Sequence, residues 1–337
     1  MVINMKCFNL KSIFVVVAGA LLLTTAVSCE NGNQEFDDYS YQTVYFSHQT
    51  PVRTITLGTD VYSTELDNQH KFQIYATVGG VWKNRSDRHL NIMVDPSLIK
   101  GMTFDNGTPI ETLPDKYYSM ASNQITIPAG QVMGCVDVQL TDEFFADPKS
   151  INVNYVLPVR IVSADDSILE GKNYVLYALK YKNKWDGTWI SHGTDEIDDN
   201  GTKSTVKREA EYLEKNELRQ LYTTALKQVR YPITVSVNAN NTQKALTCDL
   251  ILNFDDQDHC TITTSTTNCT ASGSGKWTFE GAKKAWGDKD RDQLDLSYII
   301  KFTYTDKGVT KYYQLTSTDQ LIMQSRNSAR EDFTYKK

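Results

Sequence analysis

Leu294-Asp295-Leu296-Ser297-Tyr298-Ile299-Ile300-Lys301-Phe302-Thr303-Tyr304, followed by Asp306-Lys307-Gly308 and then by Val309-Thr310-Lys311-Tyr312-Tyr313-Gln314-Leu315, decides the fold class. Apolar or aromatic residues recur at every second position of the first run, the period of a strand that buries one face. Asp306-Lys307-Gly308 between two such runs is a hairpin signal. Working outward, residues 233–237, 245–254, 260–266 and 276–279 have the same texture and are bounded by Gly, Asn and Asp. Meandering hairpins of this kind can close into a barrel and remove their exposed edges.

The preceding half repeats the pattern over residues 43–46, 52–57, 71–78, 90–94, 124–127, 132–140, 154–162 and 174–182. Gly79-Gly80, Asp95-Pro96, Asp105-Asn106-Gly107 and Pro128-Ala129-Gly130 punctuate it with residues that tolerate positive φ or preset a turn. Short strands at this spacing predict an immunoglobulin-like β-sandwich. Near residue 182 the texture changes to Lys182-Asn183-Lys184-Trp185-Asp186-Gly187-Thr188-Trp189, polar, charged and aromatic. The chain is therefore expected to be all-β, with a β-sandwich over residues 41–182 and an antiparallel barrel over residues 183–337. One segment fits helix and strand equally: Leu218, Leu221, Tyr222, Ala225, Leu226 and Val229 fall at helical spacing, while Thr223-Thr224 and the β neighbours favour a strand.

The chain's beginning speaks to location. Lys6 and Lys11 precede an apolar run from Ile13 to Leu23, and Ala26-Val27-Ser28 lead to Cys29. This resembles a bacterial lipoprotein signal, with a positive n-region, an apolar h-region and small residues before the modified cysteine. The run is too short to span a bilayer, which needs about 20 apolar residues. Residues 1–28 are thus expected to be a signal peptide and Cys29 the lipidated first residue of the mature protein. Residues 29–40, with Glu30, Glu35, Asp37 and Asp38, read as an acidic, solvated tether. It resembles export signals that send Bacteroides-type lipoproteins to the outer face of the outer membrane.

Removing 28 of the 337 residues leaves 309, enough for two ordinary domains. Losing Lys6 and Lys11 moves the net charge from −6 to −8. An acidic surface with scattered Lys and Arg argues against a nucleic-acid partner. Of the six cysteines, Cys135, Cys248, Cys260 and Cys269 remain once Cys7 is cleaved off and Cys29 is acylated. Cys260 and Cys269 lie on what reads as one hairpin, so a bridge between them is the candidate disulfide, and Cys135 reads as a small buried apolar residue. There is no C-x-x-C pair, and His48, His70, His89, His192 and His259 lack metal-ligand spacing. No metal site and no cofactor are expected.

Val44-Tyr45-Phe46-Ser47, Pro51 to Gly58, and His70-Lys71-Phe72 through Val81 resemble the N-terminal β-sandwich domain, of the DUF1735 type and unknown function, of two-domain Bacteroides surface lipoproteins. Trp185-Asp186-Gly187-Thr188-Trp189 and residues 284–292 resemble the lipocalin-like domain often paired with it. The resemblance implies a surface setting near polysaccharide-utilisation and transport machinery. It brings no catalytic motif, and the lipocalin likeness alone implies an internal cavity for a small apolar ligand.

Glycan recognition needs exposed aromatic faces beside fixed polar partners. Trp82, in the polar loop Lys83-Asn84-Arg85, and Trp286, between Lys284 and Asp288 at a hairpin tip, are the candidate platforms; packing over sheet edges is the competing use of both. Trp185 and Trp189 favour packing. Asp288, Asp290, Asp292 and Asp295 alternate like calcium ligands, but Gln293 and Ile299 occupy the positions where an EF-hand has Gly and Glu. No G-x-S-x-G, H-E-x-x-H or P-loop occurs. Asp166-Ser167-Ile168 resembles the Bacteroides O-glycosylation motif, with Ser167 as acceptor. The expected role is non-catalytic glycan capture at the cell surface; the alternative is an adhesin-like protein with a protein partner and an apolar patch or open sheet edge.

Overall fold

The computed structural model describes residues 41–80 and 82–337, so residues 1–28, Cys29 and the tether to residue 40 lie outside the described residues. Residues 41–182 supply β1 (Thr43–Tyr45), β2 (Pro51–Thr56), β3 (Lys71–Gly79), β4 (Arg88–Val94), β5 (Thr103–Phe104), β6 (Glu111–Thr112), β7 (Tyr118–Met120), β8 (Gln124–Ile127), β9 (Met133–Leu140), β10 (Tyr155–Ala164), β11 (Ser167–Ile168) and β12 (Tyr174–Lys182). One sheet runs β11-β1-β3-β9-β7; the other contains β2-β12-β10-β4-β8, with β6 beside β10. In β3, Phe72, Ile74, Ala76 and Val78 are buried and Tyr75 between them is exposed, because successive side chains leave a strand on opposite sides. These meet Leu90, Ile125, Leu157, Val159 and Leu179 of the facing sheet in one apolar core. The predicted sandwich is present.

Residues 187–325 form β13 (Gly187–Asp199), β14 (Thr202–Arg208), β15 (Glu217–Ala225), β16 (Gln228–Ala239), β17 (Thr242–Phe254), β18 (His259–Thr264), β19 (Cys269–Trp286), β20 (Lys289–Asp306) and β21 (Val309–Ser325). Antiparallel pairing runs β13-β15-β16-β17-β18-β19-β20-β21, and β21 pairs back onto β13, which closes the predicted barrel. β14 is a flap on the outer half of β13. Four hairpins turn on two residues that both have positive φ: Asn200-Gly201, Asn240-Asn241, Gly287-Asp288 and the predicted Lys307-Gly308. That turn geometry matches the right-handed twist of the flanking strands.

Leu294, Leu296, Tyr298, Ile300 and Phe302 bury the inward face of β20 against Trp189, Leu221, Tyr231, Leu250 and Leu321. The barrel interior is therefore a packed core, and the expectation of an internal ligand cavity is corrected. The ambiguous segment is strand, in β15 and the start of β16. Leu221 and Val229 are buried while Leu218 and Tyr222 are exposed, so the pleat splits the apparent helical stripe. The aromatic motif before β13 is fold-forming. Trp185 stacks on Phe254 at 3.8 Å, the Asp186 carboxylate accepts from the Thr223 N–H (2.7 Å) and hydroxyl (3.0 Å), and the buried Trp189 indole N–H donates to the Trp185 carbonyl (3.1 Å). Gly187 has φ +148°, and a Cβ there would stand 2.6 Å from the Ser325 carbonyl oxygen. Gly187→Ala is expected to cost about 2–3 kcal/mol through backbone strain and the forced separation of β13 from β21; urea unfolding measures it, and an unchanged midpoint contradicts it.

The barrel was expected to extend to residue 337, and this is corrected at its end. Past Ser325 the chain returns to the sandwich, where β22 (Glu331–Asp332) pairs with β2 and β23 (Tyr335–Lys336) with β5. β10 and β12 explain why: Tyr155 to Val159 are all buried, and the outward Val156, Leu176 and Ala178 need cover that Ile99, Phe104 and Phe333 provide. Arg326 sets the path. Its buried guanidinium donates to the carbonyls of Asn183 (2.6 Å), Lys184 (2.9 Å) and Leu57 (3.1 Å).

Candidate functional site

The returning tail makes one wall of a cleft of about 400 Å³. Its floor is the outer side of β2 and the end of β12, with Arg53, Thr54, Thr56 and Lys182; its other wall is the loop carrying Asp60 and Tyr62. That loop is pinned. Gly58, at φ +89°, donates its N–H to the Asn68 side chain (2.7 Å), while its carbonyl accepts from Asn68 (2.9 Å) and the Thr64 hydroxyl (2.5 Å). A Cβ on Gly58 would meet Lys184 Cβ at 2.8 Å, so the residue type is fixed by the close approach.

The charges in the cleft are paired and held. Asp67, buried, accepts from the Thr56 N–H (2.9 Å) and from the Arg53 guanidinium. The Asp60 carboxylate takes the Ser328 hydroxyl across the mouth, and Glu331 pairs with Lys180 at 2.7 Å. Arg330, on the tail, contacts the His48 ring. Tyr62 is 68 % exposed beside these groups. The arrangement offers a ring face with preset donors and acceptors, which suits one hydroxylated ring at a time. A larger groove of about 690 Å³ over β17 to β20 is lined by no exposed Trp, Tyr or Phe.

The expected platforms lie apart. Trp82 is 80 % exposed on the loop between β3 and β4. The buried Asn84 pins that loop, its amide donating to the carbonyls of Pro128 (2.9 Å) and Gln131 (3.0 Å). Trp286 sits at the tip of β19 and packs, half-buried, against Ile190, Ala282 and Ile322, while its carbonyl accepts from Arg291 (3.0 Å). The structure uses Trp286 as cover for the barrel, the competing use named for it. The two tryptophans belong to different domains, and neither lines the cleft.

Ser167 is exposed on β11, and Asp166 beside it is ion-paired with Arg88 at 2.8 Å. The acidic run is dispersed: Asp290 holds the Lys283 ammonium and the Lys284 N–H, Asp292 is buried and accepts from the Glu280 N–H, and Asp295 faces Gln293 and Gln320. Burial pushes the Asp292 carboxyl above its usual range. Among the described residues no cluster of three or more His, Cys, Asp or Glu is placed to hold a metal ion. The Cys260–Cys269 expectation is corrected: strand register sets Cys260 opposite Gly275, and the sulfur near Cys269 is that of Cys248. Cys135, expected to be buried, is exposed on β9.

Sequence reading missed Tyr62, Arg53 and Arg330, since the cleft joins segments 268 residues apart, as in the Asp60–Ser328 contact. It also missed a polar cluster inside the barrel. Arg208, at the end of β14, donates to Asp195 (2.7 and 3.0 Å), Ser191 (3.2 Å), Ser317 (3.1 Å) and Asp319, and the Tyr231 and Tyr298 hydroxyls donate to Asp319 at 3.0 and 2.7 Å. Burial and the nearby Asp319 carboxylate hold the Tyr231 phenol well above its ordinary range; Tyr298, buried against Tyr231 and Asp319, is likewise raised.

Residues 184–327 match a family described as a domain of unknown function (DUF5627), and residues 39–168 match an N-terminal domain family. A Bacteroides ovatus protein of unknown function, known from a crystal structure, is 34 % identical; the match covers 88 % of this chain and 98 % of that one, with a TM-score of 0.80. A second B. ovatus protein of unknown function is 14 % identical over 87 % of this chain and 99 % of its own, with a TM-score of 0.44. An auxiliary nutrient binding protein from Bacteroides thetaiotaomicron is 13 % identical over 83 % and 95 %, with a TM-score of 0.38. No curated protein matches the chain.

Proposed function

We propose a function from one premise: the chain belongs to a two-domain Bacteroides family that joins an N-terminal domain to a C-terminal domain of unknown function (DUF5627). In this reading it is a non-catalytic surface lipoprotein, tethered to the outer membrane through acylated Cys29 and facing outward, that captures glycan beside transport machinery. The finer likenesses, a DUF1735-type first domain and a lipocalin-like second one, belong to the same proposal.

The observation that carries it is the cleft, in which exposed Tyr62 stands beside Arg53, Asp60 and Arg330. Stacking supplies area and the charged pairs supply orientation to hydroxyls. Affinity electrophoresis of the protein against a panel of host and plant polysaccharides tests the reading. At least one polymer is expected to retard migration, and Tyr62→Ala to weaken binding about tenfold, the effect of losing roughly 1.4 kcal/mol. Trp82→Ala reports whether the second exposed ring extends the surface, whereas Trp286→Ala is expected to leave affinity unchanged. Retardation by none of the polymers sinks the reading.

An adhesin-like role with a protein partner has one observation in its favour. Among the described residues β14 pairs on one side only, and residues 202–207 are exposed. Lys203 and Lys207 on that edge discourage strand addition. Cross-linking on intact cells separates the readings, since a stable protein neighbour retained without glycan favours adhesion.

A further inference from the structure

The geometry points to a disulfide between Cys248 and Cys269 that staples β17 to the start of β19. β18 ends at Thr264, and the chain then turns through residues 265–268 so that Cys269 arrives beside β17. The Cys269 thiol faces Cys248 Sγ at 2.9 Å; Cys248 also touches the hydroxyl of Thr264, the last residue of β18, at 3.4 Å, and Cys269 the Thr266 carbonyl of the turn at 3.6 Å. A disulfide bond is about 2.05 Å long, so closure needs less than an ångström of approach. The turn is already fixed by the Thr266 hydroxyl, which accepts from the Asp249 N–H (3.0 Å), and by Asn268, whose carbonyl accepts from the Thr303 N–H (2.8 Å). Backbone order here is thus in place before the bond forms.

Cys260 is excluded by placement. Register sets it opposite Phe254 on β17 and opposite Gly275 on β19, in each case six positions along the strand from Cys248 and Cys269. The chemistry is thiol–disulfide exchange with a low-molecular-weight disulfide as oxidant. Cys248 is buried and Cys269 half-buried, so Cys269 is the sulfur a dissolved disulfide reaches first; burial, and the hydrogen bond from Cys269, also push the Cys248 thiol up to about 12. Its thiolate displaces one thiolate from the oxidant and forms a mixed disulfide. Cys248 then gives up its proton and displaces the second; two protons and two electrons leave the protein, and the oxidant is reduced to two thiols.

The test is to incubate the full chain with oxidised glutathione, alkylate the remaining thiols with N-ethylmaleimide, digest without reduction and map the peptides by mass spectrometry. A Cys248–Cys269 linked pair with Cys260 alkylated is expected, and the same pair in Cys260→Ser. Reduction should lower the unfolding midpoint by several degrees in the wild type and leave Cys248→Ser/Cys269→Ser unmoved, because a bridge closing a loop of this length restricts the unfolded chain. Alkylated Cys269 after oxidation, or Cys269 linked to Cys260, overturns the assignment.

Discussion

Arg208→Met is expected to destabilise the chain by about 3–5 kcal/mol, seen as a fall on the order of 10 °C in Tm. The reason is the charge it leaves behind. The Asp319 side chain is 1 % exposed and Asp195 15 %, and Arg208 is the cation between them. Removing one partner of a buried ion pair costs more than the pair contributes, since the remaining carboxylate keeps its desolvation penalty without its compensation. Tyr231 and Tyr298 still donate to Asp319, but two hydroxyls do not replace a guanidinium. Asp319→Asn added to Arg208→Met removes the more buried of the two uncompensated charges, leaves Asp195, and retains an acceptor for a tyrosine. The double variant is expected to recover at least half of the loss, and strictly additive losses contradict the account.

Arg326→Ala is the second large effect, at about 3 kcal/mol or more. Three carbonyls, from Leu57, Asn183 and Lys184, lose the guanidinium at once; Asn183 keeps the Asp186 N–H at 3.3 Å, and each acceptor left unsatisfied costs about 1–3 kcal/mol. Part of that is recovered where water enters. The change also frees the chain that follows, because Arg326 is the point from which residues 327–337 run back to the sandwich. Limited proteolysis is therefore expected to clip the variant within the tail while sparing the strands, and ligand retention at the cleft should fall with it. Arg326→Lys is not expected to rescue, since an ammonium cannot span three carbonyls placed for a planar fork. A variant as protease-resistant as the wild type contradicts the role assigned to Arg326.

The sequence made legible what is local. Alternation from Leu294 to Tyr304 and positive φ at Lys307-Gly308 depend on neighbouring residues, so strand, face and hairpin could be read together. The two-domain order followed from the shift in texture near Lys182. What could not be read depends on residues brought together from afar. Arg208 and Asp319 are 111 positions apart, although the inward positions between Leu315 and Leu321 are Ser317 and Asp319, an interruption of the apolar face that signals a polar cluster. Proximity in sequence favoured Cys260 as the partner of Cys269, whereas register, invisible along the chain, delivers Cys248. The cleft needed the tail to leave the barrel, and nothing in the alternation of residues 309–325 announces that departure.

Hydrogen exchange of the full chain, with and without the polysaccharide that retards it most, tests the central claim most directly. Slowed exchange confined to residues 53–64 and 327–331 is the predicted result, with Tyr62→Ala abolishing it. Slowing along β14, or no change at the cleft at saturating polymer, contradicts the claim that this cleft captures glycan.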